Sequence, residues 1–250
     1  MELIPNVVKT WAIGHGVPFI DAAKLGNEVI SILSGSPASQ SHVFIVASYG
    51  KIIPKTVLDI PKHKTLNIHP SLLPKYRGPS PLPSVMLADD KKTGVTIMRL
   101  DEEMDHGPIV AQREIVVEEW PEYDEFEAMM AAEGARLLLE VLPRWVGGEI
   151  PEISQDHSLA TYTKKISKED GLIEPGADPY LNFRKIQAHH SWPQAYFFIS
   201  HRGRNVRVKV TKASFASGKL KIEKVIPEGG KEITYDDFKR GYGNAAGLFE

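Results

Sequence analysis

Thr65-Leu66-Asn67-Ile68-His69-Pro70-Ser71-Leu72-Leu73-Pro74-Lys75-Tyr76-Arg77-Gly78 is the stretch around which the rest of the chain is arranged. Leu66 and Ile68 alternate with Asn67 and His69, the period of a β-strand, so the apolar pair faces one way and the polar pair the other. Pro70 has no N–H for a strand ladder, so the strand ends where the two polar side chains emerge. An amide donor beside an imidazole at a strand end can act on a carbonyl oxygen. Asp105, in the turn Met104-Asp105-His106-Gly107-Pro108 after the next apolar run, could hold that imidazole charged. Such residues also serve as ordinary caps and turns, so spacing alone leaves the structural reading open.

Working outward, Val43–Ala47 is a continuous apolar run of strand length, expected to be covered on both faces as in a parallel sheet. Val7–His15, Leu25–Leu33 and Lys55–Leu58 read as helices, and Val17–Ile20 as a short extended piece. Pro81–Ala88 can be helical with Pro83 in its first turn. Val95–Leu100 and Ile109–Val117 alternate and are expected to pair antiparallel at a sheet edge. Asp124–Leu142 carries Phe126, Met129, Met130, Leu137, Leu138 and Val141 on one helical face, with Pro143 expected beyond its end. Residues 147–178, rich in Gly, Pro and polar side chains, read as a linker. After them, a helix at Asn182–His189 leads to Trp192-Pro-Gln-Ala-Tyr196-Phe-Phe-Ile199, and alternating runs follow at Asn205–Thr211 and Lys219–Val225, with glycine turns between them. Thr234–Tyr242 reads as a closing helix. The expected fold class is α/β. A Rossmann-like, mostly parallel sheet with flanking helices (1–146) is followed by the linker and a small β-rich, barrel-like unit (179–250).

Composition narrows the function classes. The chain of 250 residues has no cysteine, which removes disulfides and thiolate chemistry. It has no membrane-length apolar run, no P-loop, no glycine-rich dinucleotide fingerprint and no metal-ligand spacing, so a cytoplasmic protein without metal is expected. Residues 1–180 hold 17 Lys and Arg against 26 Asp and Glu, and residues 181–250 hold 13 against 6. A basic tail behind an acidic body suits a polyanionic partner, though a solvated basic face has the same composition.

Asn67-Ile-His69, Ser71-Leu-Leu-Pro74-Lys-Tyr-Arg77-Gly78, Thr93-Gly-Val-Thr-Ile-Met98 and Asp105-His-Gly107 together resemble the formyltetrahydrofolate-dependent formyltransferase family, closest to its methionyl-tRNA branch. The resemblance covers nearly the whole chain, including Ala160–Gly171. It implies formyl transfer from N10-formyltetrahydrofolate to the amine of methionyl-tRNA. Asn67, His69 and Asp105 would be catalytic, with Asp105 keeping His69 cationic. It also implies folate binding by Gly50, Lys51, Ile52, Ser71, Leu72, Leu73, Pro74, Glu103 and Met104. Arg202, Arg204, Arg207 and Lys209 would meet tRNA phosphates along an A-form stem, and the apolar neighbours of Trp192 and Tyr196 favour domain core over base-stacking platforms for those two rings. Gly78 is expected to be a backbone necessity and Arg77 a possible structural ion-pair partner. Met98, where glycinamide ribonucleotide formyltransferases tend to have His, leans toward the tRNA branch. Against the family pattern, Met1-Glu-Leu-Ile-Pro5 falls after an opening strand–helix–strand unit, so an incomplete first sheet with an open edge is expected. A monomer is expected. The competing readings are a formyltransferase for a sugar nucleotide or other small amine, and a non-catalytic tRNA- or folate-binding protein.

Overall fold

In the computed structural model of the chain, residues 7–20, 26–35, 43–243 and 249 are described. Met1–Pro5, Leu25 and the Ser36–Pro37 turn lie outside them. The elements run α1 (Val7–Gly14), α2 (Asn27–Gly35), β1 (Phe44–Ala47), α3 (Lys55–Leu58), β2 (Thr65–His69), α4 (Pro81–Ala88), β3 (Lys92–Arg99), β4 (Ile109–Val116) and α5 (Tyr123–Val146). Then follow α6 (Pro179–Ala188), β5 (Tyr196–His201), β6 (Arg204–Ala216), β7 (Lys219–Pro227), β8 (Ile233–Thr234) and α7 (Tyr235–Tyr242). Val17–Ile20 forms no strand.

The first sheet has the order β1-β2-β3-β4. β1 and β2 run parallel, whereas β2–β3 and β3–β4 are antiparallel, so the sheet is mixed rather than mostly parallel. The connection from β3 to β4, residues 100–108, is too short for the crossover of a dozen or more residues that a parallel pair would need, whereas β2 reaches β3 through a longer stretch that contains α4. β1 is the edge strand among the described residues. Its burial alternates, with Ile45 and Ala47 exposed, so the expected cover on both faces is absent.

α5 crosses the back of this sheet. Phe126, Met130, Leu137 and Val141 are buried, and fully burying one such side chain contributes about 1.5–3 kcal/mol. Met129 turns partly to solvent instead. The helix continues through Pro143 to Val146 instead of stopping at Leu142. Proline removes only its own N–H bond to the turn before it, and Leu139 in that turn is exposed, so water can take the freed carbonyl. Gly134 sets how closely α5 presses on β2. A Cβ there would meet Ile68 Cγ2 at 2.6 Å, so only glycine lets the helix seat against the back of the strand that carries Asn67 and His69.

The second sheet is an antiparallel meander, β5-β6-β7-β8. Its core joins Phe197, Ile199, Val208, Val210, Ile222 and Val225 to Phe238 of α7, whose start Thr234 caps through Oγ1 to the Asp237 N–H at 3.1 Å. α6 joins the two sheets. Its Ala188 lies in the first unit's core, Arg184 Nη1 donates to the Leu87 carbonyl at 2.7 Å, and Tyr180 Oη donates to Asp89 at 3.0 Å.

Residues 147–178 run back across the first sheet. Ile153 pairs with Ile109, Arg99 grips Glu152 at 2.8 and 2.9 Å, and Tyr162 bridges to Arg77.

Candidate active site

Asn67 and His69 project from the same face of β2, opposite Met98 and Thr96 of β3. Both are buried, at 9% and 4% exposure. The Asn67 amide has no hydrogen-bond partner among the described residues and keeps a thin strip of solvent contact, so its donors are available to a ligand oxygen. The His69 ring is held by Nε2, which donates to the Tyr76 carbonyl at 2.9 Å. Its other nitrogen, Nδ1, lies 3.7 Å from Asp105 Oδ2.

That separation is too long for a hydrogen bond. Burial pushes the His69 pKa below its ordinary value; Asp105 and the Tyr76 bond oppose the shift without reversing it, and the Arg77 charge adds to it. The expectation that Asp105 keeps His69 cationic is therefore corrected: desolvation outweighs a carboxylate that stops short of contact. With Nε2 donating to the Tyr76 carbonyl, the neutral form that burial favours carries its hydrogen there and offers Nδ1 as a base.

The turn carrying Asp105 is positioned from two sides. Asp105 sits at φ +50°, a left-handed conformation that Asp tolerates better than most residues. Its Oδ2 accepts the Gly78 N–H at 2.7 Å. Gly78 has φ +109°, and a Cβ there would meet Thr163 Oγ1 at 2.9 Å, so the expected backbone necessity has a steric cause. From below, Gln155 Nε2 donates to the carbonyls of Asp105 (2.9 Å) and Gly107 (2.7 Å).

Gln155 Oε1 in turn accepts Arg77 Nη2 at 2.6 Å and Nε at 3.2 Å. Arg77, 1% exposed, also meets His157 Nδ1 at 2.9 Å and Tyr162 Oη at 3.3 Å, and forms no ion pair among the described residues. It is a buried cation held by neutral acceptors, not the ion-pair partner the sequence allowed.

The loop after β2 is fixed as firmly. Thr96 Oγ1 donates to the Ser71 carbonyl (2.6 Å) and accepts the Leu73 N–H (3.1 Å), and Gln112 Nε2 reaches both Thr96 and the Leu73 carbonyl. Ser71 is fully buried with its hydroxyl on the Lys75 carbonyl, and Leu73 is also buried. The bonds of these two residues shape the loop, and their side chains are closed to solvent. Leu72 and Pro74 are half-buried, and Gly50, Lys51, Ile52, Glu103 and Met104 are exposed. Thr96, Gln112 and Gln155 were missed by sequence reasoning; buried amides and hydroxyls in strand or linker contexts give no local signal.

The four expected tRNA contacts divide in two. Arg202 and Arg204 are exposed at the β5–β6 hairpin, whereas Arg207 and Lys209 lie half-buried on the outer face of β6. Trp192 is 53% exposed, which corrects its assignment to the core; Phe197, one residue beyond Tyr196, is the buried ring instead.

His189 is a second buried imidazole, with neither ring nitrogen bonded among the described residues and its pKa lowered by burial. For both His69 and His189, the unfolded chain takes up protons near pH ~6.5 that the folded chain refuses. Above that pH both states are neutral and the stability does not change with pH on their account, and it falls as the pH drops through and below it. Thermal melts at pH 7.5 and 5.5 are expected to show a lower Tm in acid, with a shallower fall for His189→Leu. An acid slope identical in that variant would remove His189 from the account.

A family profile described as formyl transferase matches residues 30–142. The chain is 44% identical to the methionyl-tRNA formyltransferase of Chloroflexus aggregans over 83% of its own length and 66% of that protein's. It is 36% identical to the methionyl-tRNA formyltransferase of Thermus thermophilus over 97% of this chain and 84% of that one. Among solved structures, the N-formyltransferase of Helicobacter canadensis, in complex with folinic acid and dTDP-3-aminofucose, superposes with a TM-score of 0.65. It covers 90% of this chain and 81% of that one at 18% identity, which speaks to the fold alone. The chain thus spans about two thirds of the Chloroflexus relative's length. Among the described residues, no helix is long and apolar enough to cross a membrane.

Proposed function

The chain belongs to the methionyl-tRNA formyltransferase family, and from that premise we propose that it moves a formyl group from N10-formyltetrahydrofolate to the α-amino group of methionyl-tRNA, a step of translation initiation. The observation that carries the reading is the meeting of Asn67, His69 and Asp105 at the end of β2, with an unpartnered amide beside a neutral imidazole. Bound folate supplies the activated formyl group. Gly50, Lys51, Ile52, Leu72, Pro74, Glu103 and Met104 have the exposure to hold it, whereas Ser71 and Leu73 shape the loop.

Asn67 donates its free amide N–H to the carbonyl oxygen that gains charge as the amine adds. His69 Nδ1 takes the proton that the attacking amine must shed, its tautomer fixed by Tyr76. Once protonated, Nδ1 becomes a charge-assisted donor to the same oxygen, and Asp105 stabilises the imidazolium during that interval. The proton leaves Nδ1 for the departing nitrogen when the original carbon–nitrogen bond breaks. Desolvation that keeps the resting ring neutral is therefore part of the design, because a ring already charged could not accept the amine's proton. Arg202 and Arg204 would bind phosphates of the tRNA, giving affinity that falls with salt.

The test presents the full chain with formyltetrahydrofolate and either methionyl-tRNA or an amino-sugar nucleotide. Formylation of the tRNA alone is expected, weakening in KM as salt rises. Formylation of the sugar nucleotide with none of the tRNA would overturn the substrate assignment.

A further inference from the structure

Along β5, Phe197 and Ile199 go into the core, so Tyr196 and Phe198 are left on the outer face of the second sheet. The register sets Lys209 opposite Tyr196 and Arg207 opposite Phe198, so rings and cations face each other across two strands. Beside them lies a cavity of about 460 Å³, within the ~300–1,000 Å³ range of small-molecule sites, walled by Trp192, Gln194, Tyr196, Lys168, Arg207 and Lys209. Lys209 Nζ donates to Gln194 Oε1 at 2.8 Å, and the Arg207 guanidinium lies 5.7 Å from the centre of the Tyr196 ring.

Among the described residues no carboxylate forms an ion pair with Lys168, Arg207 or Lys209; Glu228 reaches the backbone N–H of Arg207, at 3.4 Å, instead of its guanidinium. Three cations around one concavity repel each other unless an anion joins them. Trp192, 53% exposed at the rim, adds a large unpartnered aromatic surface. A phosphate would satisfy the cations and a base would cover the indole, and one nucleotide carries both. Paired RNA does not fit as well, because its base faces are already stacked inside the helix and none is left to cover the indole.

We propose that this cavity binds an unpaired nucleotide of an RNA strand, its base stacked on Trp192 and its phosphate held by Lys168, Arg207 and Lys209. The inference rests on the proposed RNA substrate and adds to it a single-stranded contact far along the sequence from Asn67. Base-on-ring stacking tolerates any base, so the site would supply affinity and orientation without reading sequence.

The test measures binding of the full chain, by fluorescence anisotropy at low salt, to a labelled oligouridylate of about eight nucleotides and to a blunt RNA duplex of the same length. The single strand is expected to bind more tightly. Trp192→Ala should weaken its binding by about tenfold or more and leave duplex binding unchanged. Trp192→Phe should retain it, since a ring remains, and Lys209→Ala should weaken both. Equal affinity for single strand and duplex, or a Trp192→Ala variant that binds like the parent, would overturn the proposal. Formylation of methionyl-tRNA read in parallel separates the two claims. Intact, salt-dependent formylation without oligouridylate binding removes the cavity and leaves the reaction standing.

Discussion

Replacing Asn67 by alanine is expected to reduce kcat for formyl transfer by about 10²–10³, or ~2.7–4 kcal/mol of transition-state stabilisation, with little change in Tm. One observation and the proposed mechanism set the direction of both effects. The Asn67 side chain makes no hydrogen bond to the described residues, so the folded chain loses no bond of its own with it. On the proposed mechanism the same unspent amide meets the oxygen that gains charge, and a donor that strengthens only in the transition state appears in kcat more than in KM. Asp105→Asn is the companion variant. Its amide oxygen can still accept the Gly78 N–H, so the turn keeps its shape while the charge facing His69 disappears. A lower kcat is expected, with the acid limb of the pH–rate profile displaced further to low pH, because His69 loses the group that raises its pKa. Full activity in both variants would dismiss the site. A large loss of Tm in Asn67→Ala would mean that the residue is structural.

Gln155→Ala should be the most destabilising single change in the site, by on the order of 3 kcal/mol in urea unfolding. Gln155 is 5% exposed and makes four bonds, accepting twice from Arg77 and donating to the carbonyls of Asp105 and Gly107. Its removal strands donors of a guanidinium that is itself almost fully buried, and an uncompensated buried charge is costly. It also releases the turn that positions Asp105, so kcat should fall by about 10² even in molecules that remain folded. Gln155→Glu separates the two roles. The carboxylate can take both Arg77 donors but cannot donate to the Asp105 and Gly107 carbonyls. Stability above that of Gln155→Ala, because Arg77 keeps its acceptor, with reduced kcat is the expected result. Parental kcat in Gln155→Glu would show that the turn holds itself.

Strand period and a single proline were enough to place Asn67 and His69 together at a strand end. Alternation with glycine turns located β6 and β7, and α5 announced itself by its apolar stripe. Those signals are local: they act within one element, where side-chain direction follows from backbone geometry. The charge state of His69 was not of that kind. It depends on how far burial outweighs a carboxylate 36 positions away in the chain, and the balance came out opposite to expectation. Trp192 was similarly misread, because apolar neighbours in sequence do not say which side of a turn faces solvent.

Local pattern placed the amide and the imidazole on one strand face. Packing across long stretches of chain settled everything that tunes them: the Gly78 N–H on Asp105, Gln155 between Arg77 and the 101–107 turn, and Gly134 bringing α5 onto Ile68. The physical reason is that hydrogen bonds and desolvation act over a few ångströms of space regardless of separation along the chain. Residues 78 positions apart can fix one another without either carrying a mark of it in sequence.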